Sequence, residues 1–360
     1  DALQQLYADG ESRGEAPDGA AALSQRERAL QLTRYRLLRR LGAGGMGVVY
    51  LARDPSLDRD VAIKLLRAAP GDDPIQEAHA RLLREAQALA KLSHPNVVTV
   101  FDVGTYDAEV LTTMRIGAGR TEPLPRAGGR GPSGVFLVME YVPGLTLAQW
   151  LDARERTVRE VLEVMLAAGR GLVSAHAVGV IHRDFKPGNV LVGETGRVCV
   201  FDFGLARAAG DVEPPTPGTA VGFDPLSSSQ LSAPLTRVGS LVGTPAYMAP
   251  EQRGGATIDE RADQFSFCVA VYEGLYGNRP FTGDNIFALE DAKASARIDP
   301  PRRKVKVPPA IHRAVLRGLS PDPADRWPSM LELLAALDRP LRRDRRRAWI
   351  AAGGLAVVAA

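Results

Sequence analysis

The chain has 360 residues, 45% of them hydrophobic, enough for a sizeable core in one large or two small domains. Its formal net charge is only +3, which makes no case for a nucleic-acid partner. Two cysteines, Cys199 and Cys268, stand far apart without metal-ligand spacing and fit buried thiols in a reducing compartment.

Residues 1–33 mix Asp, Glu, Gly and Ala with little apolar pattern and read as an N-terminal tail, with some helix around 20–32. Apolar alternation predicts a strand over Tyr35–Leu41, a glycine-rich turn, and strands at Val48–Ala52 and Val61–Leu66. Leu82, Leu83, Ala86 and Leu89 fall at helical spacing and predict a helix over Ile75–Leu92. Two further strands follow, Val97–Val103 and Val135–Met139. Between them Thr105–Gly134 is rich in Gly, Arg and Pro and reads as an insertion without an assignable role.

After Pro143-Gly144 helical patterns dominate: Leu145–Ala153, Val158–Val178, Ala262–Tyr276 and Pro309–Gly318. A small β-rich lobe therefore precedes a larger helical one, with a hinge at 140–144. Residues 207–242 are irregular, with several prolines and three consecutive serines. The chain begins at Asp1 and ends on apolar residues, so it reads as a piece of a longer protein; no secretory signal is visible at the start.

Gly42-Ala43-Gly44-Gly45-Met46-Gly47-Val48-Val49 fits G-x-G-x-x-G-x-V, in which backbone N–H groups can approach phosphate oxygens without a Cβ in the way. A structural hairpin also explains it. A dinucleotide fold would want a helix straight after the glycines, and here an apolar strand follows. Lys64 lies inside an apolar strand, either as an edge lysine reaching solvent or as a buried cation that needs a partner.

The densest chemistry lies in His182-Arg183-Asp184-Phe185-Lys186-Pro187-Gly188-Asn189 and in Asp202-Phe203-Gly204. The first run puts an acid, a cation and an amide on one short loop. The second adds an acid before a glycine free to turn sharply. Gly243-Thr244-Pro245-Ala246-Tyr247-Met248-Ala249-Pro250-Glu251 and Pro321-Asp322-Pro323-Ala324-Asp325-Arg326 complete an ordered set.

On these motifs the chain resembles the eukaryotic-like (Hanks-type) bacterial serine/threonine protein kinases in their membrane-anchored form, from about Tyr35 to Leu337. The resemblance implies an α+β, two-lobed protein-kinase fold. Its domain would span 35–337, with an N-lobe at 35–139 and a C-lobe at 145–337. It implies transfer of the γ-phosphoryl group of ATP to protein Ser/Thr hydroxyls with Mg2+, or Mn2+, as the metal. Asp184 would be the base and Lys186 would neutralise the moving phosphoryl group. Asn189 and Asp202 would hold the metal. Lys64, paired with Glu85, would hold the α- and β-phosphates.

The same resemblance puts adenosine and phosphate contacts on Leu41, Gly42, Ala43, Gly44, Gly45, Met46, Gly47 and Val48. Adenine would lie between Val49 and Ala62 on one side and Leu191 on the other. Met139 would be the gatekeeper, and the backbone of Glu140 and Val142 would bond the base. Thr244, Glu251, Asp263 and Arg326 would be supporting residues: Thr244 bonds to Asp184 and Lys186, Glu251 pairs with Arg326, and Asp263 braces the catalytic loop. His182 would be structural, near Phe203. Phe185 departs from the family's Leu and should pack in the same place.

Arg183 implies a phosphate on the segment before Glu251, at Thr236 first and Ser240 second. Relatives often carry a threonine two residues after the first, where this chain has Val238. Residues 338–347, with six arginines across 339–347, read as a basic juxtamembrane flank. Residues 348–360 read as the start of a transmembrane helix that anchors a cytoplasmic kinase domain in the inner membrane. Expected partners are protein substrates, the membrane and a second copy for autophosphorylation. A pseudokinase scaffold would lack one of Lys64, Asp184, Asn189 or Asp202. A small-molecule phosphotransferase would lack the 243–251 segment.

Overall fold

A computed structural model describes residues 34–44, 47–67, 87–106, 134–203, 244–253 and 258–342. Strands β1 (Arg36–Gly44), β2 (Gly47–Asp54), β3 (Arg59–Arg67), β4 (Val100–Tyr106) and β5 (Gly134–Glu140) form one antiparallel sheet in the order β1-β2-β3-β5-β4. The two-residue period of β3 sorts its side chains onto opposite faces. Val61, Ile63 and Leu65 join Tyr35, Leu37, Tyr50, Phe136 and Val138 in a core on one face. Ala62 and Leu66, with Leu137 and Met139 of β5, belong to a larger core shared with the helical lobe. Lys64 alternates with Ala62 and Leu66 and therefore shares their face, toward the lobe junction.

Residues 141–143 cross to the second lobe. There β6 (Gly144–Thr146), β7 (Val190–Gly193) and β8 (Val198–Val200) make a small antiparallel sheet in the order β6-β7-β8. Helix α1 (Leu147–Asp152) and α2 (Val158–His176) each start on a threonine capping box, Thr146 with Gln149 and Thr157 with Glu160. Helix α3 (Arg261–Tyr276) is buried along nearly its whole length and is the axis of the lobe. It ends on Gly277 in the left-handed conformation, φ +75°. Helix α5 (Pro309–Gly318) packs against it, and α4 (Ile286–Ala294) and a helix over 330–342 complete the lobe.

The lobes are joined by more than the 141–143 link. Val98 N donates to Val200 O, Val200 N to Asn96 O, and Asn96 Nδ2 to Val198 O at 2.8–3.0 Å. Gly171 on α2 permits this approach, because a Cβ there would lie 2.4 Å from Asn96 O.

Several boundaries differ from the sequence reading. The strand expected from Val97 begins at Val100, because 97–99 bond to β8 and Glu140 instead. Thr105, Tyr106 and Gly134 belong to strands and not to the insertion, since Thr105↔Val135 and Tyr106↔Gly134 are paired. The helix expected from Leu145 begins at Leu147, where the Thr146 cap sets its start. Glu140 ends β5 and Gly144 begins β6, which shortens the hinge. Of the helix expected over Ile75–Leu92, residues 87–92 are described; 87–90 are helical, and the helix ends before Lys91 and not at Leu92. Among the described residues no helix is long and apolar enough to cross a membrane. Residues 343–360, with the expected anchor, lie outside them.

Candidate active site

The glycine-rich turn joins β1 to β2. Gly47 stands at φ +154°, and a Cβ there would lie 1.9 Å from Leu65 O, so β2 can start against β3 only with glycine. Val49 pairs with Lys64, and Ala62 pairs with Met139 in register. Lys64 is 5% exposed, and its Nζ is bonded to Asp202 Oδ1. A buried ammonium requires such a partner. Glu85, the partner expected from the sequence, lies outside the described residues.

The loop from His182 to Asn189 follows α2. Lys186 Nζ donates to Asp184 Oδ2 at 2.7 Å. Asn189 Nδ2 donates to Asp184 O at 2.8 Å and to Asp184 Oδ2 at 3.1 Å. Both amide hydrogens of Asn189 thus point at Asp184, leaving its Oδ1 as an oxygen donor. With the Asp202 carboxylate this donor set fits a hard divalent ion. Among the described residues no cluster of three His, Cys, Asp or Glu could hold a metal unaided. Such an ion would take its remaining ligands from phosphate and water.

The two chemistry-bearing segments each contain a non-glycine residue at positive φ, Arg183 at +63° and Asp202 at +66°. Such backbone is costly and persists where its surroundings hold it. Asp263, on α3 and fully buried, does so at Arg183. Its Oδ1 accepts from Arg183 N at 2.8 Å, and its Oδ2 accepts from His182 N and His176 Nε2, each at 2.8 Å. Gln252 Nε2 holds Arg183 O from the other side at 2.8 Å. His182 Nε2 donates to Phe201 O at 3.0 Å, and its ring lies 4.6 Å from that of Phe203. Phe185 is fully buried against the His182 and Phe267 rings.

Glu251 and Arg326 are brought together as a two-pronged pair at 2.7 and 2.8 Å. The guanidinium, with no exposed surface, also donates to Ser320, Pro321 and Arg261 carbonyls. Leu41 and Gly42 lie on β1, Met139 and Glu140 on β5 and Leu191 on β7, with Val142 in the link between the lobes. Glu140 N donates to Thr99 O at 2.9 Å, which leaves only its carbonyl for a base. Gly45, Met46, Thr236 and Ser240, and the side chains of Ala43 and Thr244, fall outside what is described.

Sequence reasoning missed the side chain of Glu140. It pairs with Arg197 before β8, whose Nε also donates to Pro95 O at 2.8 Å. The Glu140 carboxylate raises the Arg197 pKa. Cys199 and Cys268 are free and buried, and burial pushes both thiols up, so neither is a reactive thiolate.

The protein kinase domain family matches residues 35–335. The chain is 36% identical over 310 residues to the serine/threonine-protein kinase PknB of Mycolicibacterium smegmatis, covering 85% of this chain and 43% of that protein. It is 35% identical over 316 residues to PknB of Mycobacterium tuberculosis, covering 85% and 42%. It is 34% identical over 326 residues to the serine/threonine-protein kinase pkn3 of Myxococcus xanthus, covering 87% and 51%. The aligned stretch thus spans about half or less of each relative's length.

Proposed function

The chain belongs to the protein kinase family, as a serine/threonine kinase using ATP and a divalent metal, and from that premise we propose what each residue does. Asp184 orients the acceptor Ser/Thr hydroxyl and takes its proton. The hydroxyl oxygen forms a bond to the γ-phosphorus as the bond to the β–γ bridging oxygen breaks, and ADP leaves. Lys186 neutralises charge on the transferring group. Asn189 Oδ1 and Asp202 would hold the ion, Mg2+ first and Mn2+ as a substitute. When bound, that ion would offset negative charge on the phosphates.

Lys64 fixes the α- and β-phosphates, with Glu85 as its carboxylate partner. Val49, Ala62 and Leu191 sandwich adenine beside Met139, with the Glu140 carbonyl and the Val142 N–H bonding its edge. Leu41 and the glycine run 42–47 with Val48 cover the phosphates. Little covalent chemistry falls to the protein, so positioning and electrostatics carry the rate.

The observation that carries this reading is the convergence of Lys186 Nζ and Asn189 Nδ2 on one Asp184 oxygen, within 3.1 Å. It supports a carboxylate held in place by donors on both sides. The test is label transfer from γ-labelled ATP to a basic acceptor protein, with Asn189→Ala raising the Mg2+ requirement. A variant with an unchanged metal titration would remove Asn189 from the metal site.

We further propose autophosphorylation between copies at Thr236, then Ser240, with Arg183 receiving the phosphate. Mass spectrometry after incubation with Mg-ATP tests it, and a fully active enzyme unmodified at both would contradict it. The arginines of 339–347, with Trp349 and the apolar residues after it, support anchoring at the cytoplasmic face of a membrane.

A further inference from the structure

Lys293 on α4 has no exposed surface. A buried ammonium persists only where its hydrogens are met. Here they are met by Pro245 O at 2.6 Å, Met248 O at 2.8 Å and Glu290 Oε1 at 3.1 Å. Two of the three acceptors are backbone carbonyls of one short segment, which the ammonium gathers from inside. Burial is the first cause that lowers the Lys293 pKa. The Glu290 carboxylate opposes it, and Arg253 and Arg279 add to it.

The gathered segment is tied to the reaction centre on its other side. Gln252 accepts from Ala249 N at 2.8 Å and donates to Arg183 O, one residue before Asp184. Tyr247 OH donates to Glu273 Oε2 of α3 at 2.6 Å. Helix α4, α3 and the catalytic loop therefore grip 245–252 from three directions. A protein acceptor is too large to enter the cleft. For its hydroxyl to reach Asp184, the chain on either side must lie on the neighbouring surface.

We propose that Lys293 is a positioning residue for the protein substrate, setting the course of residues 245–248 on which the acceptor chain lies beside Asp184. This rests on the kinase reading above. A residue of the same length without the charge would still fill the space under α4. It could not gather the two carbonyls, which would be left buried without a donor.

The test uses residues 1–360 with Lys293→Met, titrating a histone mixture as acceptor and, separately, ATP. The expected result is an acceptor KM raised between about tenfold and a hundredfold, with the ATP KM within about twofold of wild type. Amide hydrogen exchange over 244–252 should rise in the variant, a readout that needs no phosphotransfer. Glu290→Gln, which keeps both carbonyl bonds, should leave the acceptor KM within about twofold.

An acceptor KM unchanged in Lys293→Met would overturn the proposal, as would equal losses in the acceptor and ATP parameters. A Glu290→Gln shift as large as that of Lys293→Met would also overturn it, by assigning the effect to the ion pair. Where the methionine variant does not fold, Lys293→Leu, which also has no donor, gives the same comparison. A wild type that transfers no label would fault the reaction itself, and exchange over 244–252 would still decide whether Lys293 holds the segment.

Discussion

Lys64 on β3 and Asp202 beyond β8 are bonded side chain to side chain across 138 positions of sequence. The contact joins the sheet lobe to the helical lobe at the point where the proposed phosphates and metal meet. Removing the cation leaves a carboxylate beside a junction built for a pair. Lys64→Met should lower phosphotransfer by at least about 100-fold. Lys64→Met with Asp202→Asn should cost far less than the product of the two single losses, because both act on one group. Rates of the two single variants and the double variant check this, and multiplicative losses would show that the residues act separately.

Arg326 and Glu251 form a pair whose guanidinium is wholly enclosed. Breaking it leaves a charge in low dielectric, which typically costs about 3–5 kcal/mol. Glu251→Ala should therefore lower the unfolding free energy measured by urea titration by that order. Arg342→Ala should change stability by no more than about 1 kcal/mol, because Arg342 meets Asp338 while 78% exposed. Similar losses for both would contradict the contrast.

Asp263 accepts three donors and touches no proposed reactant. Asn at this position turns an NH2 toward at least one N–H. The His182–Arg183 backbone should loosen and Asp184 should shift. Asp263→Asn is expected to lower kcat by about tenfold to a hundredfold with ATP affinity retained. Nucleotide binding measured beside turnover decides it, and loss of both together would mark a folding defect.

Glu273 has a pKa raised first by burial, with the Tyr247 hydrogen bond and Arg279 opposing. A carboxyl whose folded pKa lies above its unfolded value binds more protons when folded. Its ionisation therefore weakens the fold as pH rises through the folded pKa, and the penalty disappears in acid. Glu273→Gln keeps an acceptor for Tyr247 and removes the charge. It should raise Tm at pH 7–8 and lose that advantage toward pH 4. A Tm difference independent of pH would contradict this.

Much of the site was legible because its residues stand in short runs. Asp184, Lys186 and Asn189 share one loop, and alternation placed β1 to β3. The pairings were harder. Nothing local joins Lys64 to Asp202, or Glu140 to Arg197. Glu251 with Arg326 was accessible only through the resemblance. β6, β7 and β8 have three or four residues each, too few for a period to register. Helix α4 escaped notice because it buries Lys293 along with Leu289 and Ala292, so its inward face does not read as apolar. A lysine in sequence reads as solvated, and only three-dimensional packing reveals the carbonyls it serves.

The central claim is that Asp184 takes the proton of a protein hydroxyl. The most direct measurement is label transfer from γ-labelled ATP to a basic acceptor protein by wild type and Asp184→Asn, with ATP binding monitored in parallel. The account predicts strong labelling by wild type and a loss of about 10²–10⁴ in the variant, with ATP still bound. Equal labelling by the two proteins would contradict it.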